Sequence, residues 1–406
     1  MIIAELRKIW NAKSLAVVVF MCVLYFITFM RPWVKTDQIE KLQSVDLVPR
    51  VLTERFGARI EQDEFQELVY FRDMLIADVD VFIASNPLLA EAGINTFADA
   101  QFLMDAALWV DYDTLTEAER IIRDELYDMF LWPADGSLPS NLDAVVAFHK
   151  ALSVNSLTEA YERRVQANGE WHRTIDFMLE NLPFSEHSRQ RLIAISDSDD
   201  FRSIMGFDVI IYTWSYGLRL AILVILSTLI LISPLVTTDK MARVHLLQYS
   251  SRAGRKIHQK QLAAMLISTL GLTTVLVLIF SMIFSLNETH VFWNNGLNSF
   301  MFPHFYIYSI TYGQYTLLLI GVIYLLSIGA ASFAFIISML SKNMTTLLFM
   351  IVPFFIIAAV FAHRILTNFL AAFRSGSSFL QIIALVAALV VGLVVAICMA
   401  SKKGGQ

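Results

Sequence analysis

Six long apolar stretches set the rhythm of the chain: Leu15–Met30, Val209–Val236, Leu262–Leu286, Tyr315–Leu340, Met344–Ala362 and Phe379–Ala400. At about 1.5 Å of rise per residue, stretches of this kind cross about 30 Å of hydrocarbon as helices. The first is slightly short at sixteen residues and borrows flanking positions. Pro234 is expected to end the second stretch, and Pro353 to kink the fifth. Ahead of the first, Ile2, Ile3, Leu6, Ile9 and Trp10 share one helical face, with Glu5, Arg7 and Lys8 elsewhere. That stripe reads either as a helix lying on a membrane surface or as an extension of the first span.

Residues 31–208 follow a different pattern. Apolar positions recur at helical spacing, as at Phe65, Leu68, Val69, Leu75, Ile76 and Val79, and no sustained alternation predicts a sheet. Thr116 with Glu119, and Ser156 with Glu159, have the spacing of capping boxes that open helices. Pro87, Pro133, Pro139 and Pro183 punctuate the runs. The 178-residue insert is long enough for its own core. The expected fold is therefore an all-α membrane protein. It divides into residues 1–30 (amphipathic helix and first span), a helical domain over 31–208, and a five-span part over 209–406. The aromatic-rich linker Asn287–Gln314 is expected to lie at a membrane interface. Ala362–Ser378 reads as a loop.

Composition agrees: 56% of the 406 residues are apolar, too many for an ordinary soluble domain. Charge then divides the chain. Residues 31–208 carry 33 Asp and Glu against 16 Lys and Arg, a net of −17, whereas the remainder is +12. With the N-terminus placed inside, short inner segments hold twelve Lys and Arg and short outer loops two. Positive residues favour the cytoplasmic side. The expectation is six spans, both termini cytoplasmic, and residues 31–208 outside the cell membrane, of bacterial plasma-membrane type. The acidity of the insert either attracts cationic peptides or simply solvates its surface.

The chain holds no GxxxxGK[ST] phosphate loop, no HExxH and no GxSxG, and the six stretches contain no Asp or Glu. No catalytic residue, metal set or resident cofactor is expected. His149, His172 and His187 lack ligand spacing. Cys22 and Cys398 both lie in apolar stretches, so no aqueous disulfide framework can form. Tyr212, Trp214 and Tyr216 form an aromatic belt, and Arg219 follows within a turn of its end. It either snorkels to the interface or belongs to a translocation path.

One basic segment, Thr238–Lys260, separates the second and third stretches. Thr238–Tyr249 reads as a short helix, with Thr238 as N-cap, Asp239 in the first turn, and Met241, Val244 and Leu247 as an apolar stripe. Arg255, Lys256 and Lys260 lead into the next span. On physics alone it is either an orienting positive loop or a docking helix. The order of a span, Asp239, Leu246–Leu247, Ser250–Ser251, Gly254–Arg255 and Lys260 resembles the ABC-2 type permeases, the membrane subunits of type-2 ABC exporters. The family often has Glu and a nearby Gly where this chain has Asp239 and Ala242–Arg243.

The resemblance implies that Asp239, Met241, Val244, Leu247 and Arg255 form a coupling helix seated on a cytoplasmic ATP-binding subunit, two copies per complex. ATP and Mg would be bound there and not in this chain. It also implies a second permease, identical or homologous, contact with membrane lipids, and no nucleic acid. The expected cargo is lipophilic or amphipathic, an antimicrobial or signalling peptide leading. The alternative is a membrane sensor or scaffold whose outer domain binds a ligand and signals to a cytoplasmic partner.

Overall fold

The computed structural model describes residues 2–36, 47–91, 93–107, 142–165, 169–181, 183–184, 186–243, 257–301, 308–375 and 379–405, with 116–117, 120–121, 124 and 306. Among these the protein is helical and has no strand. Five helical segments are long and apolar enough to cross a membrane: Ala12–Trp33, Phe207–Met241, Ile257–Asn287, Tyr312–Leu340 and Met344–Thr367. A sixth apolar helix, Phe379–Gly405, follows. The chain is a multi-pass membrane protein. It divides into two compact units. One is Met1–Thr36, Val209–His290 and Tyr306–Gln406; the other is Asp37–Asp208 with Val291–Phe305.

In the membrane unit, Phe207–Met241 and Tyr312–Leu340 are central, with 78% and 61% of their apolar windows buried, whereas the first and fifth spans reach only 11%. Gly217 allows the two central helices to approach. A Cβ there would meet the Leu319 side chain at 2.6 Å, so a larger residue would have to push that leucine aside. Deeper, Ser327 bonds Thr273 at 2.6 Å and Thr228 at 3.5 Å, so hydroxyls satisfy one another where no water reaches.

Two expectations change here. Pro234 does not end the second span. It opens a further helix, Pro234–Met241, after a one-residue break at Ser233. Proline suits the first helical position, where its missing N–H has no partner to lose. The buried amides of Val236 and Thr237 both donate to Ser338 Oγ at 3.1 Å. The neighbouring helix thus caps this one. Nor is Ala362–Ser375 a loop. Met344–Ser375 is one continuous helix that runs through Pro353, and no Gly or Pro stands between Pro353 and Gly376. Asn343 opens it, its Oδ1 accepting from Thr346 N at 2.8 Å.

The second unit packs Phe65–Ala84 against Leu142–Val165. Phe65, Leu68, Phe71, Leu75, Val79 and Ile83 form the buried stripe of the first, at the spacing of one helical face. Ser156 and Glu159 do not open a helix. They lie inside Leu142–Val165, where Asn155 donates to Glu159 at 3.0 Å. Thr96 instead opens Phe97–Ala107. Its backbone N–H and hydroxyl both reach Asp99 Oδ2, and Asp99 N returns a bond to Thr96 Oγ1. These contacts hold the Asp99 carboxyl below its ordinary range, the Thr96 hydroxyl first among them. Glu119, Pro133 and Pro139 lie outside the described residues.

The linker after the third span also differs from expectation. Of its described residues, Val291–Met301 belong to this unit and help to build its core instead of forming an interfacial strip, while Asn287–His290 and the residues from Tyr306 on belong to the membrane unit. Phe300 is fully buried against the ring of Tyr161, centroids 5.1 Å apart. Arg164 donates to the Phe300 carbonyl at 2.6 Å, Ser203 Oγ to Gly296 O at 2.9 Å, and Asn295 to Thr53 Oγ1 and the Ile204 carbonyl.

Candidate functional site

Buried polar residues gather where three helices of the membrane unit meet: Ile2–Ile9, Pro234–Met241 and the start of Ile257–Phe284. The first is short and amphipathic; Arg7 and Lys8 on its polar face are exposed, but Glu5 is not. Glu5 is only 3% exposed. Lys8 Nζ lies 2.9 Å from Glu5 Oε1 and 3.0 Å from both oxygens of Asp239, which is also buried. Gln261, on the third helix, donates its amide to Asp239 Oδ2 at 2.9 Å and to Glu5 Oε2 at 3.3 Å. Its carbonyl accepts from His258 Nδ1 at 3.0 Å. Trp10 extends the join by donating to Ser268 Oγ at 3.0 Å.

Two carboxylates that share one ammonium need that ammonium charged. Burial works against the Lys8 charge, but the hydrogen bonds and attraction of Glu5 and Asp239 outweigh it and hold the group above the ordinary lysine value of 10.5.

The structure places Asp239 differently from the sequence expectation. It occupies the last turn of a helix that began at Pro234, not the first turn of a new one. Thr238 is not an N-cap: its hydroxyl donates back to the Pro234 and Leu235 carbonyls at 2.8 and 3.2 Å. A carboxylate near a helix C-terminus faces the negative end of the dipole. Lys8 and Gln261 supply the compensation. Next to it, Lys240 crosses to the C-terminus of Tyr312–Leu340 and donates to the Ser338, Met339 and Ser341 carbonyls at 3.3, 2.5 and 2.9 Å. Those carbonyls lack helical partners, and a cation there is favoured. Arg243 has φ +54°, a left-handed turn that stops the helix.

Met241 is 54% exposed at the edge of this join. Val244, Leu247 and Arg255 lie outside the described residues, as do Leu246, Ser250, Ser251 and Gly254. Arg219 is elsewhere: its guanidinium lies over the Trp33 ring at 4.4 Å, and Nη1 donates to Ser215 O at 2.8 Å. Of the aromatic set beside it, Tyr212 meets Trp33 edge-on, but Tyr216 is buried and donates to Phe280 O.

No protein-family model, curated protein or solved structure matches this chain.

Sequence reasoning missed Glu5, His258 and Gln261. A signal existed for the first. Outside residues 31–208 the chain has only three acidic residues, Glu5, Asp239 and Glu288. Two of the three meet on one lysine.

Proposed function

We propose that this chain is the permease subunit of an ATP-driven exporter of the ABC-2 type, and that Thr238–Lys260 is its contact with the ATPase. One observation carries this reading: both ends of the segment are bonded into the membrane unit through buried polar groups. At its start, Asp239 is tied to Lys8 and Lys240 to the end of Tyr312–Leu340. Immediately past its other end, Gln261 returns to the same Asp239. A push on the segment therefore acts on the N-terminal helix and three spans together. Coupling of that kind travels through packed helices and hydrogen-bond networks.

In this reading two cytoplasmic ATP-binding subunits hold ATP and Mg, and a second permease, identical or homologous, completes the path. Residues 31–208 face the outside of a cell membrane. The cargo is lipophilic or amphipathic, a peptide being the leading class. Asp239 holds the segment in register, and Met241, Val244, Leu247 and Arg255 face the ATPase.

The test is purification of the native complex. An ATP-binding protein is expected to co-purify with the wild-type chain and to be lost when Met241, Val244 and Leu247 are together replaced by Asp. Undiminished association in that variant would overturn the assignment.

A further inference from the structure

Within the membrane unit, four helices enclose a cavity of about 200 Å³. Tyr312–Leu340 contributes Leu326, Gly329, Ala330 and Phe333, and Met344–Ser375 contributes Phe354, Ile357, Ala358 and Phe361. Each set has the spacing i, i+3, i+4, i+7, so two single helical faces confront each other. Small residues at facing positions normally let helices close on one another. Here they do not. The rings of Phe333 and Phe354 pack at 5.2 Å between centroids and span the gap at one end. Phe333 also wedges against Gly392, where a Cβ would stand 3.2 Å from its ring. Leu389 walls the far side. It lies so close to Gly329 that a Cβ there would stand 1.8 Å from it and force the leucine to move.

Every side chain lining the cavity is hydrocarbon. A buried water needs two to four polar partners, and the lining side chains offer none. Left empty, the walls would forfeit dispersion contacts on one side. The cavity is not sealed. Ile357 and Phe361 line it yet are 65% and 42% exposed, and Val360 and Val390 beside the opening are each more than half exposed. The mouth thus opens on the apolar outer surface of the bundle, where bilayer chains are the solvent. A helix, about 10–12 Å across, is too wide to enter.

We propose that this cavity is a binding site for the end of a phospholipid acyl chain, held between the two spans. The site goes beyond the transport reading, since an exporter of any cargo, or a sensor, could carry it.

The experiment uses the full chain in nanodiscs containing a phosphatidylcholine whose acyl chain ends in a diazirine, irradiated and mapped by mass spectrometry. Adducts are expected on Leu326 and Ala330, which are only 5% and 4% exposed and out of reach from the surface. Adducts are also expected on the exposed Phe349, as ordinary bilayer contact. In Ala330→Leu and Ala358→Leu the inward adducts should fall about tenfold, because the added methyl groups occupy the space, while those on Phe349 stay unchanged. Absence of inward adducts in the native chain would overturn the site. That is the result if the cavity is empty or plugged by a side chain from a second copy. Persistence of inward adducts in the filled variants would overturn it too. The native-chain result stands alone if a filled variant fails to fold.

Discussion

Lys8 carries more of the architecture than its place on a short terminal helix suggests. Replacing it by Met leaves Glu5 and Asp239 buried close together without a counter-ion. Breaking a fully buried pair costs several kcal/mol. The Lys8 side chain is 39% exposed, so solvent screening lowers the expected loss to about 1–3 kcal/mol. Thermal unfolding in detergent should show it, and Asp239→Asn added to Lys8→Met should restore part of it. An additive double mutant would show that the two residues do not act together. The pH dependence has a definite sign. Because the folded lysine titrates above 10.5, its contribution is complete below that value and is lost as pH rises through the raised one. The difference in Tm between wild type and Lys8→Met should therefore stay constant through neutral pH and shrink only in strongly alkaline buffer. At this scale the sequence was half legible. Asp239 stood out by its place after the second span and in the order of residues that follows it. His258 and Gln261 could not, since a neutral side chain is chosen as a partner by three-dimensional proximity alone.

Helix ends decide the inner edge of the membrane unit. Pro234–Met241 begins with amides that its own chain cannot satisfy, and Ser338 accepts two of them from the next helix. Ser338→Ala should cost about 1–2 kcal/mol, since it strands buried donors. It should also loosen the segment that follows: hydrogen exchange at Val236 and Thr237 should quicken well before global unfolding. Unchanged protection at those two amides would show that the cap is dispensable. The periodicity of Phe65–Ala84 and the lengths of the spans were readable because burial imposes them over many turns. The role of Pro234 was not. A proline marks a break, but whether the helix resumes depends on an acceptor about a hundred residues away in sequence. Ser156 and Glu159 failed for a related reason: the pairing that opens a helix also occurs inside one, where the packing of Ala151, Val154 and Thr158 carries the helix through.

At the scale of the molecule, the second unit is discontinuous. Aromatic residues in Asn287–Gln314 suit a membrane interface and a domain core equally well, so composition could not choose between them. Phe300 shows what the structure requires. It packs edge-on against Tyr161, whose ring in turn stacks on Phe65. Phe300→Ala should destabilise this unit by about 3–5 kcal/mol, detected as faster limited proteolysis within residues 47–107 while the span helices keep their protection. Equal resistance of both chains would mean that the unit closes without the returning segment.

That return has a consequence for biosynthesis. Residues 37–208 leave the ribosome without the piece that completes their core, and Val291–Phe305 follows only after the second and third spans. At about 5–20 residues per second, the last hundred or so residues impose a wait of roughly 5–20 s. During that interval Thr53, Tyr161 and Ile204 lack the residues that later meet them. Completion of the domain thus becomes a checkpoint on its own translation: it reports that two further spans have been made and that the chain after them has come back. A chain stalled or misinserted at the third span would display an unfinished hydrophobic surface, a ready mark for chaperones and proteases.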